Sequence, residues 1–192
     1  TSQLYPFKDL FYTKYGFINC APIQNLEVNP LLFSKWKNFP LGYKIQRVKI
    51  SEVVALLKIV QEKAIKNLHG GVRRRELRWK EFGKGKNGWV DVVINSENVP
   101  EAYMRYFTRG YGNKLFDDKV GEMVIHEIYW LTFQGRQALF NYIYNYSDQI
   151  VKVRLPLNPF DSYYSWITGF TRVALNPRMV NMARIIQVKE VL

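Results

Sequence analysis

Between residues 89 and 131 three runs rich in β-branched and aromatic residues, WVDVVIN, EAYMRYFTR and EMVIHEIYWL, follow one another with turn residues between them. Side chains of this kind suit a pleated, half-buried surface, so the three runs predict strands paired as an antiparallel meander. Helical patterns stand on both sides. Before the meander, Ser51 is a good N-cap type, and Val53, Leu57, Val60, Ala64 and Leu68 recur at helical spacing until HGG, with Gly70 and Gly71, ends the pattern. After it, Thr132 can cap a helix whose Leu139, Tyr142, Ile143 and Tyr146 face inward, and QIVKVRL reads as the next strand. The order predicts an α+β domain: a mixed sheet whose antiparallel meander is flanked by helices.

Outside this block, Pro6 suits the first turn of a helix reaching residue 15, with Phe7, Leu10, Phe11 and Tyr15 as its apolar stripe. Tyr12 lies at the edge of that stripe, so its ring can pack while its hydroxyl points elsewhere. Gly16 ends the helix, and FINCAPIQNLEV reads as extended chain. Residues 30–50, with Pro30, Pro40 and Gly42, read as a linker holding a short helix around residues 32–37, with a domain boundary near residue 40. Toward the end, FDSYYSWITG reads as a short helix, and RVAL and NMARIIQV as extended segments.

The chain has 192 residues, is 47% hydrophobic and 16% aromatic, and nothing in it reads as disordered. A net charge of +12 favours attraction to phosphate groups without choosing between nucleic acid, nucleotide cofactor and anionic membrane surface. Cys20 is the single cysteine, so an intrachain disulfide and a cysteine-based zinc site are excluded, which favours a reducing, cytoplasmic setting. The apolar runs fall short of the roughly 20 residues a membrane helix needs, so no membrane association is expected.

The chemistry concentrates near the start. FYTKYGF, residues 11–17, resembles the short helix with which GNAT acyltransferases place a tyrosine beside the sulfur of acetyl-coenzyme A, and the longer LYPFKDLFYTKYGF is similar to the corresponding string of the enhanced-intracellular-survival (Eis) type. The resemblance puts Tyr12 on the general acid and Phe11 with Tyr12 against the cofactor. The physical need is plain: when an amine attacks the thioester, the departing thiolate must be protonated, and a phenol held close can donate that proton.

Three further stretches carry the same resemblance. GGVRRRELRW is similar to the family's signature after the first middle-domain helix, with Arg74 and Trp79 on matching positions. HEIYWLTFQGRQALFNYI looks like its middle-domain strand and helix, with Glu127 on the acidic position, and MARIIQVKEVL resembles the entry to a sterol-carrier-protein-like domain. The resemblance implies a GNAT-like mixed sheet. It divides the chain into residues 1–38, the tail of a catalytic GNAT domain; 39–175, a degenerate GNAT-like middle domain; and 176–192, the entry segment of the third.

The resemblance also implies acetyl-coenzyme A as cosubstrate and no metal. The partners it implies are a small-molecule amine or a lysine or polyamine acceptor, an acetyltransferase segment preceding residue 1, and further copies in a homo-oligomer. The pyrophosphate loop of such enzymes, R/Q-x-x-G-x-G/A, opens a helix whose amides hold the phosphates. The equivalent junction here, LTFQGRQAL, has Gln134 and Gly135 without the second glycine or the spacing. It is therefore expected not to bind coenzyme A, and this fragment alone is expected to be inactive.

A competing class is a basic, non-enzymatic scaffold or nucleic-acid-binding module with vestigial acetyltransferase topology. RRRELRWKEFGKGK, residues 73–86, interleaves basic and aromatic residues, as nucleic-acid surfaces do, but a solvated or interdomain surface is the favoured reading and nucleic acid is not the expected partner. Arg105, Arg109 and Tyr111 alternate along a strand without an RNA-recognition aromatic motif. His126 and His69 offer no paired metal-ligand spacing, Asp117 and Asp118 look like turn residues, and Cys20, with no histidine near it in sequence, reads as a packed thiol.

Overall fold

The computed structural model describes residues 2–20, 23–66, 68, 73–83, 89–110, 121–157, 161–169, 173–178 and 181–186. His69, Gly70, Gly71, Tyr111, Asp117 and Asp118 lie outside them.

The chain opens with β1 (Ser2–Leu4), α1 (Asp9–Thr13) and β2 (Ile18–Asn19). The helix expected up to residue 15 is thus five residues long, and its apolar stripe is open: Phe7, Leu10 and Tyr15 are each more than half exposed. So short a helix cannot persist on propensity alone. Gly16 ends it as expected, with φ of 77°.

β3 (Ile23–Val28) follows, then a 3-10 turn, Pro30–Trp36, whose first amides are capped by Asn29, its side-chain oxygen 2.9 Å from the Leu31 nitrogen. Where a linker is expected, β4 (Lys44–Lys49) runs directly into α2 (Ile50–Ile65). Ser51 therefore sits inside the first turn; buried Ile50 fixes the helix start, and the cap position falls on Lys49, with no side-chain cap bond. Next come α3 (Glu76–Gly83), β5 (Trp89–Ile94), β6 (Pro100–Arg109) and β7 (Glu122–Trp130). α4 (Phe133–Asn145) starts at the expected cap, Thr132 accepting from the Gly135 amide at 3.0 Å. β8 (Lys152–Leu157), a 3-10 turn at Tyr163–Ser165, β9 (Ala174–Arg178) and β10 (Met182–Arg184) complete the described chain.

Among the described residues the strands form two sheets. The larger has the order β4-β5-β6-β7-β8-β3-β9 and contains the expected antiparallel meander, β5-β6-β7. Only β7 and β8 are parallel neighbours, joined through α4. The smaller has the order β1-β10-β2.

Because side chains alternate along a strand, adjacent residues of the meander serve opposite cores. Val90, Val92 and Tyr103 pack under α2 and α3 with Leu57, Val60 and Trp79. Val93, Ala102, Met104 and Ile125 pack toward α4 with Phe33, Leu139, Phe140, Ile143 and Leu155. Leu26 and Val28 of β3 belong to this second core, so residues on both sides of position 39 share it.

Candidate functional site

The element carrying Tyr12 is held from outside. Tyr12 is half-buried, its ring packed edge-on by Phe7 at 5.5 Å, Phe11 at 5.1 Å and Phe17 at 6.1 Å between centroids. Such edge-to-face contacts fix a ring without engaging its polar end. Among the described residues the phenol oxygen has no hydrogen-bond partner, which leaves its proton available. Beside it Lys8, Leu10, Phe11, Thr13 and Lys14 line an open depression of about 520 Å³. A lining with two apolar side chains, Leu10 and Phe11, and two lysines suits a ligand that is both apolar and anionic.

The junction of β7 and α4 is the position equivalent to a pyrophosphate loop. β7 and β8 pair only from Glu122↔Lys152 to Val124↔Arg154; farther along they are no longer partners. A helix N-terminus at such an opening is a ready anion site, but here its cap residue, Thr132, already binds a carboxylate. Glu101 Oε2 accepts from Thr132 Oγ1 at 2.5 Å and from the Tyr43 hydroxyl at 2.8 Å, and Oε1 accepts from Asn95 at 2.9 Å. Burial alone would raise the Glu101 carboxyl; these hydrogen bonds outweigh it and hold it below its ordinary value, so it stays charged.

Gly135 is there for close packing: a Cβ would lie 3.2 Å from Ala102 Cβ, from the Glu101 carbonyl oxygen and from Thr132 Oγ1. Arg136 is committed to three rings, its guanidinium 5.4, 5.9 and 5.3 Å from the centroids of Trp36, Trp130 and Phe133. On the unpaired half of β7, Trp130 packs on Trp166, and Trp166 on Phe140. The Glu101 charge and the packed rings disfavour a pyrophosphate at the junction, although the buried Arg136 Nε has no hydrogen-bond partner among the described residues.

Arg74 and Trp79 come together with Glu127, 53 positions beyond Arg74, where α3 meets the meander. Arg74 Nη2 donates to Glu127 Oε2 at 2.7 Å, and its guanidinium lies 4.2 Å from the Trp79 ring centroid and 4.4 Å from that of Phe82. Tyr103 donates to the other Glu127 oxygen; burial first, then the Glu127 charge, push its phenol well above the ordinary range, so it remains a neutral donor. This cluster ties α3 to the meander, a positional role.

The basic stretch is less basic in three dimensions. Arg73 pairs with Glu62 and Arg78 with Glu81, at 2.8 and 2.9 Å, while Lys58 pairs with Glu76. On the neighbouring strands Arg109 binds Glu122 at 2.5 Å, whereas Arg105 lies over Phe82. His126 is exposed beside Phe107, and burial and the Arg105 charge hold its imidazole below the ordinary value. Among the described residues no group of three or more candidate ligands could hold a metal, and no helix is long and apolar enough to cross a membrane. Cys20 is half-buried and unpaired.

Sequence reasoning missed two residues. Glu101 lies in β6, as expected, but as the extra residue of a β-bulge where Val93 and Ile94 face Ala102 and Pro100, and no local pattern marks its carboxylate. Arg184, which reaches α1, gives no local signal at all.

A family model described as an acetyltransferase (GNAT) domain matches residues 70–185. No curated protein matches the chain in sequence. Among solved structures the chain is similar to a GCN5-related N-acetyltransferase from Anabaena variabilis, with a TM-score of 0.79 and 16% identity over 97% of this chain and 46% of that one. It is similar to a probable N-acyltransferase from Enterococcus faecalis, with a TM-score of 0.75 and 21% identity over 96% and 45%. Eis1 from Mycobacterium abscessus gives a TM-score of 0.64 and 11% identity over 98% and 48%. At these identities the likeness is one of fold, and the chain spans less than half the length of each.

Proposed function

Because the chain belongs to the acetyltransferase (GNAT) domain family, whose members use acetyl-coenzyme A, we propose that it is part of an Eis-type N-acetyltransferase acting on primary amines, with Tyr12 as general acid. The observation that carries this reading is the half-buried phenol of Tyr12, packed edge-on by three aromatic rings and without a hydrogen-bond partner among the described residues.

Acetyl-coenzyme A would supply the acetyl group and the thiolate leaving group. As the amine nitrogen bonds to the carbonyl carbon and the C–S bond breaks, Tyr12 would give its proton to the departing sulfur; the nitrogen would release its surplus proton to solvent, and the Tyr12 phenolate would take one back from solvent. Phe11 would pack against the cofactor beside it. The domain division at residues 38/39 and 175/176 belongs to the same reading, as do a homo-oligomer, a cytoplasmic setting and a preceding segment that holds the pyrophosphate. The carboxylate of Glu101 at the start of α4 supports a middle domain without its own cofactor, and hence a fragment inactive alone.

The test compares the longer chain that this reading calls for with its Tyr12→Phe variant, using acetyl-coenzyme A and a panel of polyamines and aminoglycosides. Turnover should fall by about two to four powers of ten, the worth of a general acid; equal turnover removes Tyr12 from that role.

A further inference from the structure

α1, which carries Tyr12, has no fully buried residue of its own and is held by other elements. Both of its flanks pair with one strand from the far end of the chain: Leu4 of β1 is opposite Met182, and Asn19 and Ile18 of β2 are opposite Met182 and Ala183. Met182 is fully buried beneath them, and the Cys20 amide donates to the Asn181 carbonyl at 3.0 Å. β10 thus closes the loop that carries α1.

Its last residue does more than pair. Arg184 Nη1 donates to the Tyr15 carbonyl oxygen at 2.8 Å, 169 residues away in sequence, and the guanidinium lies 5.2 Å from the centroid of Phe17. Phe17 is the ring that backs Tyr12 from the C-terminal side, and its amide donates to the Tyr12 carbonyl at 3.3 Å. Gly16 between them runs at φ of 77°, and a Cβ there would touch Arg184 Cδ at 3.4 Å, so backbone and arginine stem fit closely.

Resting on the proposed function, we propose that Arg184 is a positioning residue for Tyr12: it fixes the end of α1 and the ring behind the phenol, and so couples β10 to the proton donor. Small misplacements of a catalytic group cost rate without weakening substrate binding, because the ground state does not need the proton where the transition state does.

The experiment measures kcat, KM and thermal unfolding for Tyr12→Phe, Arg184→Ala, Arg184→Met and Arg184→Lys in the longer acetyltransferase, with acetyl-coenzyme A and the same amine panel. Arg184→Ala and Arg184→Met should each lower kcat about tenfold with KM changed less than about twofold, the split expected when an interaction acts only in the transition state. Arg184→Lys, which keeps a donor for the Tyr15 carbonyl, should recover part of the loss. If Tyr12→Phe lowers kcat while the arginine variants keep wild-type turnover, the inference fails and the proposed function stands. A fall in kcat accounted for by loss of folded protein in both Arg184→Ala and Arg184→Met also overturns it. Unchanged turnover in Tyr12→Phe removes the proposed function itself.

Discussion

Arg74 and Glu127, 53 positions apart in the chain, meet at 2.7 Å beneath α3, and Tyr103 occupies the other Glu127 oxygen. Removing one partner of such a pair leaves the other charge buried and uncompensated. Arg74→Ala should therefore destabilise the fold by about 3 kcal/mol in denaturant unfolding. Arg74→Lys should recover little, because a lysine lacks the flat guanidinium that lies on Trp79 and Phe82.

At the start of α4, Thr132→Ala removes the acceptor for the Gly135 amide and the donor to Glu101. A loss of about 1 kcal/mol is expected from the cap. Calorimetry of the described chain with acetyl-coenzyme A should register little heat, and micromolar affinity would mean that the cofactor does seat at this junction.

Two glycines should differ sharply. An added Cβ at Gly121 would lie 2.4 Å from the Gln149 carbonyl oxygen, which is backbone and cannot swing away, whereas at Gly135 the nearest contacts are 3.2 Å. Gly121→Ala should cost about 3 kcal/mol or more and Gly135→Ala about 1 kcal/mol, the range for overpacked interiors. Comparable midpoints for the two variants would contradict this ranking.

Glu122 is enclosed by Arg109, Lys152 and Arg154. Burial would raise its carboxyl, but the Arg109 hydrogen bond and the surrounding charges outweigh burial and hold it below its ordinary value. A carboxyl depressed in the folded state contributes stability that is present above its unfolded value, about 4.3, and is lost as pH falls through the folded one. The stability gap between wild type and Glu122→Gln should be full at pH 7 and shrink as the pH falls below about 4.3. A gap that is flat with pH would remove the charge from the explanation.

The pairing of Arg73, Arg74 and Arg78 with carboxylates bears on nucleic-acid binding. Each phosphate neutralised contributes about −0.9 to the slope of log affinity against log salt. Fluorescence anisotropy with a short duplex should give weak binding with a slope no steeper than about −3; a slope of about −6 or steeper would restore the competing class.

What could be read in the sequence was what local pattern decides. The meander, the Thr132 cap and the inward Leu139 and Ile143 all follow from side-chain period and capping chemistry. β4 escaped notice because Lys44, Arg47 and Lys49 make an edge strand look like a polar linker, the very composition that protects an edge. Arg47 is also the reason Tyr142 and Tyr146 stop short of full burial: it donates to both hydroxyls, at 2.9 and 3.3 Å, and to Asp91 at 3.2 Å. The open stripe of α1 has the opposite cause. Its spacing is that of a buried face, and the described residues supply nothing to cover it.

The place of β3 between β8 and β9 governs how this chain must fold. β3 is synthesised early, yet both of its neighbours are more than a hundred residues away, so its two backbone edges stay unpaired until residues 152–178 have emerged. Closing so long a loop makes the final strand insertion the slow step and leaves two open strand edges waiting in the nascent chain. Synthesis halted short of residue 174 would release a protein whose first long strand lacks one of its two partners, exposed to pairing with any other chain.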